Sequence, residues 1–317
     1  MRFNFHVWIF TLPLLVAMAA CARPAPAAAP HADANRLIVH DGTGRTVVLA
    51  SNPQRIVSIS PAATDILEIS LGIHAEIVGV TRYCQIPAAD EKHVTRVGGV
   101  LDPNYEGILA LKPDLVVVPW LADHTLQDKL ISMGLSVVIM HPEGLEGVVE
   151  DIRMIGQATG HAAAGESAAQ QIENIRALTA KRWQSVPANQ RPHVLIRMGD
   201  DSPAPGSYVD DLITAAGGQN ILPHGPRAWE TLGPEAILQL APDLIIDIPS
   251  PDDSSTAANP GSTPLLGSTK IVTINDSAAF YHPGPEVGRG IWDLARVIYP
   301  QFFPEPTPPT TGTAGAP

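Results

Sequence analysis

The side chains best suited to holding a ligand are a few aromatics, and they fall on expected loops. The chain has 317 residues and only 5% of them are aromatic. Tyr83 follows one expected strand and Trp120 another. Trp229 lies in a Pro- and Gly-rich stretch before a helix, and Phe280, Tyr281 and His282 follow the strand ending at Ile274. Each flat ring can bury ~150–250 Å² with few rotatable bonds, which suits a large planar macrocycle. Packing of each loop on itself is the plainer alternative. Two acids, Asp65 and Glu235, stand near expected helix starts, where a carboxylate stabilises the helix dipole. Catalytic signatures are missing: the chain has no GxGxxG, P-loop, GxSxG or HExxH. The carboxylate pairs Asp200-Asp201 and Asp252-Asp253 sit in Pro/Ser loops and read as solvated turns. Eleven His are scattered singly, without the three or four convergent ligands that a bare metal ion needs. The chemistry to expect is capture, not turnover, with no catalytic residues and no protein-held metal.

The elements that must position these groups read as two similar lobes. Ala162–Trp183 is rich in Ala, Gln and Glu, with Ala168, Ile172, Ile175 and Leu178 at helical spacing. Upstream, Glu106 to Pro119 reads as a short helix, a Pro-Asp turn and a buried strand. Downstream, Glu235 to Pro249 repeats that order. Each is preceded by a strand and a helix stopping at glycine: Ile56–Ser60 with Gly72, and Val194–Met198 with Gly217. Alternating strands and helices predict parallel sheets covered on both faces. Arg36–Leu49 reads as a hairpin about Asp41-Gly-Thr-Gly44. The first lobe, 36–144, takes strands at 56–60, 77–81, 115–118 and 137–140, with helices at 64–71, 105–111 and 125–133. A helical connection, 145–185, holds Leu145–Thr159 and the long helix. The second lobe, 186–303, ends on an amphipathic helix, Val287–Ile298. One stiff connecting helix predicts only modest lobe motion.

The ends read differently. Arg2 followed by the apolar run Val7–Ala20 is a secretory signal, too short to span a membrane convincingly. Met18-Ala19-Ala20-Cys21 resembles a bacterial lipobox, which implies cleavage before Cys21 and a lipid anchor there in the periplasm or at the cell surface. Ordinary cleavage near Ala29 is the other reading. Residues 21–35 are an Ala/Pro tether and 304–317 a Pro/Thr/Gly tail expected to be disordered. A formal charge of −12 argues against nucleic acid. With Cys21 lipidated, Cys84 has no intrachain disulfide partner and reads as a small residue near a loop.

Arg55–Asp65, Gly79–Pro87 and Leu111–Leu115, with Ala215–Asn220 and His282–Pro285, resemble the substrate-binding proteins of iron-siderophore and cobalamin ABC importers. The similarity runs from about Arg36 to Phe302 and is strongest to the cobalamin-binding branch. It implies two α/β lobes on one backbone helix, a monomer, and a corrinoid held between the lobes and passed to a permease and its ATPase. Ferric siderophore or haem is the alternative, with Arg82, Arg197 or Arg227 able to meet an anionic chelate; an α/β hydrolase is a remote one. By the same resemblance, Pro61, Tyr83, Trp120 and Trp229 match ligand-contacting positions. His282 falls near a position that often holds Arg. Asp65 and Glu235 match the carboxylates, one per lobe, that dock on permease arginines. Asp65 stands where Glu is usual, and Glu286 replaces a common Arg.

Overall fold

The computed structural model describes residues 36–50, 52–121, 124–250 and 269–308. The hairpin forms as strands β1 (Arg36–His40) and β2 (Thr46–Ala50). Its turn is fixed by Asp41, whose carboxylate accepts from Thr43 and Arg45. The first lobe then runs β3 (Ile56–Ser58), α1 (Pro61–Asp65), β4 (Ile77–Val80), β5 (Thr95–Arg96), α2 (Tyr105–Ala110), β6 (Leu115–Pro119), α3 (Thr125–Ser132) and β7 (Val137–Met140). Its five strands lie parallel in the order β5-β4-β3-β6-β7.

Helices α4 (Gly144–Ala158) and α5 (Ala162–Trp183) follow. The second lobe runs β8 (His193–Arg197), β9 (Asp201–Pro203), α6 (Tyr208–Ala215), β10 (Gln219–Asn220), β11 (Trp229–Thr231), α7 (Pro234–Leu240), β12 (Leu244–Asp247), β13 (Lys270–Thr273), α8 (Ala278–Tyr281) and α9 (Val287–Ile298). Its sheet is parallel in the order β10-β8-β12-β13, and β9 and β11 form a separate antiparallel ribbon.

The repeated Pro-Asp turns have one physical job. Asp114 accepts the backbone N–H groups of Gln54 and Arg55 at 2.8 and 2.9 Å, just ahead of β3. Asp243 accepts from His193 N at 2.8 Å at the start of β8. Each carboxylate thereby ties the entry of one strand to the entry of its neighbour. The residue before the Pro, Lys112 or Ala241, takes a left-handed conformation in both copies. The helices stop at glycines of positive φ, Gly72 at +66° and Gly217 at +89°, as the sequence predicts.

Both faces of both sheets are covered. In the first lobe Val57, Val116 and Val118 pack with Ile108, Leu126 and Leu130 on one side. On the other, Ile56, Leu115, Val117 and Val138 join a core that continues through α4, α5 and α9 to Val194, Ile196, Leu244 and Ile246. The apolar interior is therefore shared by the two lobes. Helix α5 buries Gly165, Ala169, Ile172, Thr179 and Trp183, while Ile175 and Leu178 of the expected stripe are only partly covered. Near its start it crosses α4 at glycines: a Cβ on Gly156 would meet Gly165 Cα at 2.9 Å. At its end, Trp183 Nε1 donates to Ala215 O at 2.9 Å.

Three details depart from the sequence reading. The first helix starts three residues earlier than expected, because Ser60 caps it and Pro61 occupies its first position. It then widens into a π-turn, Ile66–Ser70. The start of the expected tail is held: Glu305 pairs with Arg182 at 2.8 Å, just beyond Phe303, the last residue of the lobe, which is buried edge-on against Trp292. The signal segment, Cys21, the Ala/Pro tether, Asp252-Asp253 and the tail from residue 309 lie outside the described residues. Among the described residues no helix is long and apolar enough to cross a membrane.

Candidate functional site

The carboxyl ends of the parallel strands carry most of the candidate residues, and in open α/β sheets that edge is where ligands bind. Pro61 follows β3, Tyr83 follows β4 and Trp120 follows β6; these three strands are neighbours. Tyr83 is 51% exposed, with the Arg82 guanidinium 5.4 Å from its ring centre. Trp120 is 37% exposed. Its backbone is fixed by donation to Met140 O at 2.7 Å, and its ring lies 4.5 Å from that of His141 and 5.8 Å from that of His124. A cavity of about 550 Å³ opens beside it, lined by Thr43, Trp120, His141, Glu143, Glu146 and Glu150. Three carboxylates give that wall an acidic character.

In the second lobe Trp229 is 38% exposed on β11, opposite Pro203 of β9. The ribbon springs from the carboxyl end of β8 through the Met198–Asp201 bridge. No ring contact among the described residues joins Tyr83, Trp120 and Trp229 to one another. Phe280 is not a candidate: it is 1% exposed and packs in the core, and Tyr208 donates its hydroxyl to the Phe280 carbonyl. Burial drives the Tyr208 phenol far above its usual range.

His282 and Asp65 meet. His282 Nδ1 lies 2.9 Å from Asp65 Oδ2, one residue from each lobe. A Cβ on Gly284 would contact Ala62 O at 3.5 Å in the same region. A further bond ties the connection to the second lobe, from Leu145 N at the start of α4 to Asp211 Oδ2 at 2.8 Å. The carboxyl edges of the two sheets are thus brought together at α1 and the segment after α8. Asp65 closes α1 instead of opening a helix, so the expected dipole role does not apply; its carboxylate is 17% exposed and engaged with His282. Glu235 does stand in the first turn of its helix and is exposed. The two acids read as a symmetric pair in the sequence therefore occupy unlike surroundings.

Other groups are already engaged. Arg82 pairs with both oxygens of Asp102, and Arg197 binds Asp247 through two bonds of 2.6 and 2.7 Å. Arg227 is exposed. Cys84 is buried 3.0 Å from Thr81 Oγ1, and burial raises its thiol. Sequence reasoning missed the Asp65–His282 bridge, which joins residues 217 apart in the chain. It also missed His141, whose only signal was its place directly after a buried strand.

Residues 56–258 match the family model described as periplasmic binding protein. A cobalamin-binding protein of Halobacterium salinarum is 30% identical over 273 residues, covering 80% of this chain and 73% of that protein. An uncharacterized ABC transporter substrate-binding lipoprotein of Bacillus subtilis, YvrC, is 23% identical, covering 94% and 98%. Among solved structures, the molybdate periplasmic binding protein MolA of Haemophilus influenzae superposes with a TM-score of 0.73 at 22% identity, covering 84% and 92%.

Proposed function

The chain belongs to the periplasmic binding protein family, and from that premise we propose that it captures a corrinoid between its lobes and delivers it to an ABC importer. Its role is binding, not catalysis. The observation that carries the ligand reading is the set of half-exposed rings: Tyr83 and Trp120 on loops that follow strands of the first lobe, and Trp229 on the ribbon of the second. Such rings can cover the faces of a macrocycle that no single lobe could enclose. Pro61 extends the same edge of the first lobe, and His282 lines the seam. The name of the Halobacterium relative agrees with this ligand class. Against an anionic ferric chelate stands the engagement of Arg82 and Arg197 by aspartates.

Glu235 supplies an exposed carboxylate for a permease arginine, a pairing that is directional and often bidentate. Asp65 can serve the first lobe in the same way only by leaving His282. Cys21 anchors the protein to a membrane through lipid, in keeping with the Bacillus lipoprotein relative. The test is titration of the purified protein with cyanocobalamin, haemin and a ferric siderophore, followed by absorption and tryptophan quenching. Saturable corrinoid binding is expected. Failure to bind the corrinoid, with tight binding of either iron ligand, overturns the assignment.

A further inference from the structure

On the first lobe, outside the aromatic set, three potential metal ligands converge and a fourth stands beside them. Glu68, His74 and Asp90 each place one ligand atom within 4.8 Å of the others. His74 Nδ1 lies 3.7 Å from Asp90 Oδ2 and 4.0 Å from Glu68 Oε1. The other Asp90 oxygen is 3.7 Å from His93 Nε2. We propose that Glu68, His74, Asp90 and His93 form a binding site for a divalent first-row transition-metal ion, with Zn²⁺ the best fit.

The backbone places each group. Glu68 projects from the π-turn, a widened turn often found at functional sites. That turn is closed by Gly72 N donating to Glu68 O at 3.2 Å, and His74 follows two residues later. Asp90 and His93 sit three apart on a helical turn held by His93 N and Val94 N donating to Asp90 O. Two imidazoles and two carboxylates form the nitrogen and oxygen set that suits Zn²⁺, whose ligand bonds are ~2.0–2.2 Å long. At that bond length tetrahedral ligand atoms stand roughly 3.3–3.5 Å apart. The His74–Glu68, His74–Asp90 and His93–Asp90 spacings of 4.0, 3.7 and 3.7 Å exceed that by roughly half an ångström, with His93 reaching the second Asp90 oxygen. Both carboxylates are largely covered, Glu68 at 11% and Asp90 at 17% side-chain exposure, whereas both imidazoles are near 45% and open to an arriving ion. Metal here would clip the turn around Asp90 to the π-turn, which leads directly from Asp65 at the lobe seam.

The experiment is calorimetric titration of chelator-stripped full-length protein with ZnCl2, alongside H74A/H93A, Glu68→Gln and His193→Asn. The last removes a solvent-exposed imidazole that lies beside a single carboxylate, Asp243. One Zn²⁺ per chain is expected for wild type and His193→Asn. The double variant should bind at least tenfold more weakly, and Glu68→Gln should also weaken binding. If circular dichroism shows the double variant unfolded, Glu68→Gln carries the comparison. Absence of wild-type Zn²⁺ binding, or equal affinity in the ligand variants, overturns the site.

Discussion

Asp151 lies on α4 at 2% exposure. Its Oδ1 accepts from His141 N at 3.3 Å, while its Oδ2 is buried with no partner. Burial pushes this carboxyl up to about 7, with smaller contributions from Glu150 and Asp41; the His141 N–H acts in the opposite sense. An unfolded aspartate titrates near ~3.9. Between those two values the folded protein holds a proton that the unfolded chain has released. Stability from this group is therefore present at low pH, declines as pH rises from about 4 to about 7, and is flat above that. Integrating the difference from near pH 5 to near pH 8 gives a loss of about 2.5 kcal/mol. Asp151→Asn keeps an acceptor for His141 and removes the charge. It leaves an unpaired amide N–H that costs about 1–3 kcal/mol at every pH. Relative to wild type, the variant should gain about 2.5 kcal/mol across that interval. Urea unfolding of both proteins near pH 5, 6.5 and 8 measures the difference. Parallel stability profiles would refute the reasoning, because they would mean that Asp151 titrates alike folded and unfolded. The same bond holds the loop that carries His141 against Trp120, so corrinoid affinity should be followed in the same samples.

Trp120→Ala should weaken corrinoid binding roughly tenfold to a hundredfold in a fluorescence titration, because a large ring at the ligand edge is lost. Glu235→Lys should cut ATP-driven uptake in vesicles holding the importer while leaving the dissociation constant of the purified protein unchanged; a matching loss of affinity would place Glu235 in the ligand site. Asp65→Asn removes the charge paired with His282, and is expected to widen the separation of the lobes in solution scattering by no more than a few ångströms. Gly217→Ala must adopt φ near +89° with its Cβ 2.7 Å from the Trp183 ring. It should cost about 2–4 kcal/mol, read as a lowered melting temperature.

Much of the architecture was legible because it rests on local rules. The long helix runs from Ala162 to Trp183 as its composition and flanking Gly160 suggest, and the glycine stops fall at positive φ. The Pro-Asp repeats marked equivalent strands in each lobe, although their reason, a carboxylate capping a neighbouring strand, emerges only in three dimensions. The π-turn was hidden because Ile66–Ser70 has ordinary helical composition. The ribbon of β9 and β11 was hidden because Trp229–Thr231 is three residues long and pairs with a segment 28 residues away in register. Site geometry was the least accessible. Asp65 and His282 belong to different lobes, and nothing periodic links them. Phe280 and Trp229 look alike as loop aromatics, yet one fills the interior and the other faces solvent. That difference is set by tertiary packing, not by either residue's immediate sequence.

The interior common to both halves has a consequence for traffic at the membrane. A carrier whose halves share one oily seam is expected to present nearly the same silhouette loaded and vacant. Vacant copies then compete with loaded ones for the same berth on the importer. Import should slow when unloaded carrier is in excess, and the cell's ratio of carrier to cargo becomes a throttle on uptake.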